Sequence, residues 1–167
     1  MYSMLLNAKG RAMFDILLYH LTDDEVLVEC DRFHAEKVRK HLSMYRIRRK
    51  VTVSHLPDEP IGHVFNPQSA DSINPLEHHG TDGYFCDPRV LSFGQRVVGT
   101  VPERVETISL EQYHRARFEL GLAEGHQEIQ FDKSFPLESN LGKGDLELFT
   151  SIDVPNFSRI HERRVVP

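Results

Sequence analysis

Asp15 lies between Phe14 and Ile16, inside the apolar run from Ala12 to Tyr19. Burying a carboxylate without a partner is costly, so it must be paired or face a cavity. Two readings are open: a ligand-binding carboxylate, or a strand aspartate that bonds a turn or faces Arg11. A second concentration of charge follows His41, in HLSMYRIRRKV. Guanidinium groups hold carboxylates bidentately, so Arg46 and Arg48 are candidate clamps for a small anionic ligand. The alternative is a solvated charged edge that discourages strand pairing. In a strand, Arg48 and Lys50 would point one way and Arg49 the other, so they cannot all serve one ligand. His78 and His79, near Glu77 and Asp82, lack ligand spacing and sit in a turn-rich loop, so no metal is expected there. Cys30 and Cys86 each precede an aspartate, which disfavours the thiolate. Two thiols also cannot supply the four ligands of a conventional iron–sulfur cluster. Neither a Ser–His–Asp nor a Cys–His arrangement stands out.

The composition bounds what these groups can do. The chain has 167 residues, 40% hydrophobic and 27% charged, which suits a globular protein with a real core. A formal net charge of -5 argues against general nucleic-acid binding. The charge is uneven, however. From Arg32 to Lys50 every charged residue but Glu36 is basic. A local basic face on an acidic protein fits a specific anionic ligand better than a polyanion. No apolar run approaches the ~20 residues of a membrane span, so no membrane association is expected. Two distant cysteines imply neither a disulfide framework nor a metal site, and a reducing compartment is the default.

The elements that must position these residues follow from periodicity and turn chemistry. Tyr2–Leu6 and Ala12–Tyr19 flank Asn7-Ala8-Lys9-Gly10 and predict a β-hairpin with a positive φ at the glycine. Glu25–Cys30 predicts a third strand, and Asp31 a cap for the helix that follows. Ala35, Val38, Leu42 and Tyr45 fall on one helical face. Arg49–Val53 predicts a fourth strand. After a linker at 56–60, Gly62–Phe65 is a short strand, and 66–83 is a flexible loop rich in turn formers. Tyr84–Cys86 and Gln95–Gly99 predict two strands joined by Asp87-Pro88-Arg89, a turn whose Asp and Arg can lock it, and by a bend at Gly94. Ser109 caps a helix to about Leu120, punctuated by Gly121 and Gly125. Ile129–Leu141 reads as extended, and 142–167 shows no sustained periodicity. The expected class is α+β, with antiparallel sheets each covered by a helix. Three portions are expected: a unit at 1–55, a second α+β portion at 56–141, and a divergent tail at 142–167.

Four pieces occur in a telling order: Asn7-Ala8-Lys9-Gly10-Arg11 with Asp15 and Tyr19; His41 to Val51; Asp87-Pro88-Arg89; and Pro136-Leu137-Glu138-Ser139-Asn140-Leu141. Together they resemble the folate-binding proteins related to the glycine-cleavage T-protein, an aminomethyltransferase. LSMYRIRRKV is especially similar to the branch of mitochondrial iron–sulfur cluster assembly factors related to bacterial YgfZ. Tyr113, Arg117 and Gly121 also fit that pattern. The resemblance covers roughly Met1 to Leu141. It implies a T-protein-like fold and a tetrahydrofolate-type ligand. Asp15 would lie near the reactive nitrogens, Arg46 or Arg48 would clamp carboxylates, and Glu138 and Asn140 would close the pocket. The alternative for Glu138 and Asn140 is a loop in which they cap backbone groups. The resemblance further implies a role in maturing 4Fe-4S proteins in the mitochondrial matrix, with other assembly factors and client proteins as partners. The family's Lys-Gly-Cys-(Tyr/Phe)-(Ile/Val)-Gly-Gln-Glu motif gives way here to GKGDLELFTSIDVPNF. The expectation is therefore a truncated or alternatively spliced product with the C-terminal barrel missing and no visible presequence. Catalysis by such a chain is not expected. The alternatives are a one-carbon transferase or a non-functional splice product.

Overall fold

The computed structural model describes residues 1–46, 50–56, 61–65, 83–90, 93–99 and 108–139, and the backbone of 157–163. In chain order the elements are β1 (Tyr2–Leu6), β2 (Ala12–Thr22), β3 (Glu25–Asp31), α1 (Ala35–Tyr45), β4 (Ser54–Leu56), β5 (Ile61–Val64), β6 (Gly83–Cys86), β7 (Gln95–Val98), α2 (Leu110–Glu119) and β8 (Phe157–Arg163). One sheet has the order β1-β2-β3-β8-β4 and the other β5-β7-β6. The class is α+β.

The hairpin forms where turn chemistry places it. Asn7 Oδ1 accepts from the amides of Lys9 (2.8 Å) and Arg11 (3.0 Å), while Gly10 takes φ 74°. β2 runs antiparallel to both β1 and β3. Strand alternation then divides the side chains. Phe14, Ile16, Leu18, Val26 and Val28 pack with Ala35, Val38 and Leu42 of α1 on one face. Met4, Leu17, Tyr19 and Leu27 pack with Val98 and Ile129 on the other. The central strands are thus buried on both faces, which suits their near-continuous apolar runs.

Asp31 does cap, but its carboxylate accepts from the Phe33 amide (2.8 Å) of a 3-10 turn at Arg32–His34 that precedes α1. Tyr45, expected on the buried face of α1, is exposed at the helix end, where no further turn carries the core past it. The fourth strand lies at Ser54–Leu56 rather than Arg49–Val53. Val51 and Val53 still pack against the core, but the ladder begins only where Ser54 faces Arg159 of β8. Lys50 therefore lies outside a strand, and strand alternation does not apply to it.

β8 runs parallel to both β3 and β4, so a stretch without sustained periodicity supplies the strand between them. β6 and β7 pair antiparallel, with the Asp87 amide donating to Gly94 O (2.9 Å) at their junction. At Gly94, φ is 120° and a Cβ would stand 2.0 Å from Val64 O, so only glycine fits. α2 opens on a capping box in which Ser109 and Gln112 bond each other's backbone amides (2.8 and 3.2 Å). Its Tyr113 ring rests on Phe93, 5.8 Å between centroids, against the second sheet. Residues 129–139 are not extended. They form turns and a 3-10 segment, Pro136–Ser139, that return Ile129 to the core. The expected loop at 66–83 lies outside the described residues except for Gly83, the first residue of β6.

Candidate functional site

Between the two sheets sits a chain of buried charge. Glu29 of β3 pairs with Arg96 of β7 and accepts the Tyr19 hydroxyl at 2.6 Å. Arg96 also donates to Tyr113 Oη (2.8 Å), whose own hydroxyl donates to Glu124 (2.8 Å). Glu124 pairs in turn with Arg89, and Arg89 grips Asp87 through Nε (2.9 Å) and Nη2 (2.7 Å). The lock expected within Asp87-Pro88-Arg89 is present, and it is also one end of this longer network. All of these residues are buried. Burial alone would lower the Arg96 and Arg89 pKa values, but the carboxylates beside them more than reverse this, and both are raised. Burial and then Glu29 push the Tyr19 phenol up.

A second set of contacts holds the loop from Leu122 to Ile129. Arg117 donates to Glu128 from both terminal nitrogens (2.6 and 2.5 Å) and to Leu122 O (2.5 Å). Glu128 accepts from the Glu124 amide at 3.0 Å. Asp31 accepts from the His126 amide (2.8 Å) and from His126 Nδ1 (2.6 Å). Burial raises the Asp31 pKa, but hydrogen bonds from His126 and Phe33 outweigh it, and the net shift is downward.

Asp15 belongs to the same loop system. It is 4% exposed and accepts from the Gly125 amide at 3.2 Å. This contact is of the kind that the turn-bonding reading expects. Arg11 is engaged elsewhere, with Nη1 on Lys133 O and its guanidinium 4.1 Å from the Phe135 ring. Gly125 takes φ 73°, and a Cβ there would stand 2.8 Å from Asp31 Oδ2. Gly125→Ala should therefore cost about 2 kcal/mol, read as a lowered urea midpoint, from left-handed backbone strain plus crowding of the Asp31–His126 contact. An unchanged midpoint would show that the loop adapts without strain.

The other sequence candidates lie apart from this system. Arg46 is exposed just beyond α1 and donates to Val51 O (3.2 Å), closing its own turn. Glu138 is exposed and accepts from the Phe135 amide at 2.7 Å, capping its own 3-10 turn. Arg48 and Asn140 lie outside the described residues, as do His78 and His79. Cys30 is buried and Cys86 exposed, and neither forms a disulfide. Among the described residues no group of three His, Cys, Asp or Glu side chains is placed to hold a metal. No helix among them is long and apolar enough to cross a membrane.

Sequence reasoning passes over Glu29, Arg96, Glu124 and Glu128. The first two carry the signal that singles out Asp15, a charge inside an apolar strand: EVLVEC for Glu29 and QRVV for Arg96. Glu124 and Glu128 lie in a loop, where acids are ordinary, and give no comparable signal.

No family model matches the chain. Curated relatives do. Mitochondrial iron–sulfur cluster assembly factor IBA57 of Mus musculus is 36% identical over 155 residues, and that of Homo sapiens 34% over 153 residues. Each alignment takes in 84% of this chain and 43% of the relative. The Neurospora crassa homolog is 30% identical over 161 residues, 84% of this chain and 36% of the relative. Over this stretch the chain is similar to members of the YgfZ/T-protein-like family. Within that family, the relatives it matches are the mitochondrial iron–sulfur cluster assembly factors named IBA57. The chain spans less than half of their length.

Proposed function

We propose that this chain serves iron–sulfur cluster assembly in the mitochondrial matrix, in the maturation of 4Fe-4S proteins, alongside other assembly factors and client proteins. The observation that carries the proposal is its similarity, over 84% of its length, to relatives named for cluster assembly. The test is depletion of the protein in its own cells. Activity of a mitochondrial 4Fe-4S enzyme should fall several-fold and recover on re-expression, while a 2Fe-2S enzyme stays unchanged. Equal activity of both enzymes before and after depletion would sink the reading.

A T-protein-like fold and a tetrahydrofolate-type ligand are part of the same proposal. The buried Asp15 carboxylate supports it. It is the kind of acceptor that the N–H edge of a pterin requires, since an aromatic edge with donors is best held by a charged acceptor. Arg46 uses one guanidinium nitrogen on Val51 O and Glu138 one carboxylate oxygen on the Phe135 amide, so a clamp by Arg46 and a closure by Glu138 would draw on their other polar atoms. Titration calorimetry with tetrahydrofolate should show binding weakened at least tenfold by Asp15→Asn. Such a loss corresponds to about 1.4 kcal/mol or more. Equal affinity of the variant and the parent chain would remove Asp15 from the site, and no binding to either would remove the ligand.

A further inference from the structure

The outward face of α1 is unusual for a solvated helix. Ala35, Val38 and Leu42 bury the inner face. The opposite face carries Lys37, Lys40 and Met44, with Phe33 one turn earlier in the 3-10 segment. Phe33 is 67% and Met44 64% exposed. Single exposed apolar residues are ordinary, but here two large ones stand in line with two lysines. Of the acids beside it, Glu36 is held by Arg39 at 3.0 Å, and Asp31 accepts from the amides of Phe33 and His126 and from the His126 ring. The stripe is therefore cationic on a protein whose formal charge is -5.

The stripe is also braced. The Phe33 ring stacks on His126 at 4.5 Å, and Lys37 Nζ stands 5.8 Å from the Phe33 centroid and 5.4 Å from that of Phe131. An exposed aromatic already fixed in place loses little freedom when it is covered, which is the usual property of an interface anchor.

We propose that this face docks an acidic segment of a partner protein. Its carboxylates would reach Lys37 and Lys40, and its apolar side chains would cover Phe33 and Met44. Charge complementarity selects this occupant. The lysines lie between the two apolar anchors, whereas a helix that lies on a membrane segregates its cationic and apolar faces. From Phe33 to Met44 the stripe is roughly 16 Å long at the rise of a helix, the span of about three turns of a partner helix. The proposal does not rest on the function proposed above, and it goes beyond it.

The test uses the full chain and a fluorescent peptide with Glu at every third or fourth position and Leu or Phe between. Anisotropy should show binding that weakens as salt rises from about 50 to about 500 mM. Lys37→Glu with Lys40→Glu should weaken it at least tenfold, and so should Phe33→Ser with Met44→Ser. Phe118→Ser, at an exposed position on α2, should leave it unchanged. All of these positions are exposed, and an unchanged thermal midpoint verifies that each variant folds. Equal binding of a Lys-for-Glu control peptide, or undiminished binding by the charge-reversal variant, overturns the proposal. So does a variant-sensitive attachment to phosphatidylserine vesicles without peptide binding, or a variant-sensitive dimer in sedimentation.

Discussion

Arg96→Met is expected to remove about 3–5 kcal/mol of stability, because it strands Glu29 as a buried carboxylate without its cation. Glu29 is 0% and Arg96 1% exposed, so neither can recover solvation by a small movement. Native domains hold only about 5–15 kcal/mol in reserve, so this one change can unfold a substantial share of the population. The pair itself contributes less than its disruption costs. Taking two charges out of water consumes most of their mutual attraction. The second variant therefore decides the mechanism. Glu29→Gln added to Arg96→Met removes the orphaned charge and keeps an acceptor for the Tyr19 hydroxyl, and it should recover most of the loss. Urea midpoints of the two single variants and the double variant, arranged as a cycle, give the coupling. A loss under about 1 kcal/mol in Arg96→Met would mean that water reaches Glu29.

The second large effect is pH-dependent and centres on His63. Its Nε2–H donates to Phe93 O at 2.9 Å, which fixes the tautomer and leaves Nδ1 without a hydrogen bond among the described residues. Burial, and then the Arg96 charge, lower its pKa to about 4. The unfolded imidazole titrates near 6.5. Between those values the unfolded chain holds a proton that the native chain does not. Stability therefore rises with pH across this window and is lost as pH falls from above 6.5 towards 4. The full effect is roughly 3 kcal/mol, because each tenfold difference in proton affinity between the two states is worth about 1.4 kcal/mol. His34 and His41, both lowered chiefly by burial, add to the same slope. The informative quantity is thus the difference between parent and His63→Phe. The variant should lose about 1 kcal/mol at pH 7, because Phe93 O loses its donor, and should show a flatter decline between pH 7 and pH 5. Parallel slopes for the two proteins would exclude His63 as the source.

Both effects arise at contacts between segments far apart in the chain, and this marks the limit of what is legible in the sequence. The hairpin at Gly10, the strand from Glu25 with Asp31 as a cap after it, the face Ala35–Val38–Leu42, the Ser109 cap and the lock within Asp87-Pro88-Arg89 can all be read directly. Each rests on interactions within a few residues, where spacing and turn chemistry suffice. The strand expected at Arg49–Val53 forms only from Ser54 because its register depends on β8, more than a hundred residues away. The stretch at 129–139 reads as extended but folds into turns, which are stabilised by Ile129 returning to the core and by the Asp132 amide donating to Ala12 O.

The site divides in the same way. A charge inside an apolar strand announces that a partner must exist, since the cost of leaving it unpaired is a property of the residue and its neighbours alone. Asp15 stands out on that ground, and Glu29 and Arg96 carry the same mark. The identity of the partner is not in the neighbourhood. Asp15 meets the Gly125 amide 110 residues on, and Glu29 meets Arg96 67 residues on. Sequence by itself determined that Asp15 needed compensation and which family the chain resembles. Only the tertiary structure decided who compensates whom, because a buried charge is satisfied by whatever the packing of distant segments brings within hydrogen-bonding reach.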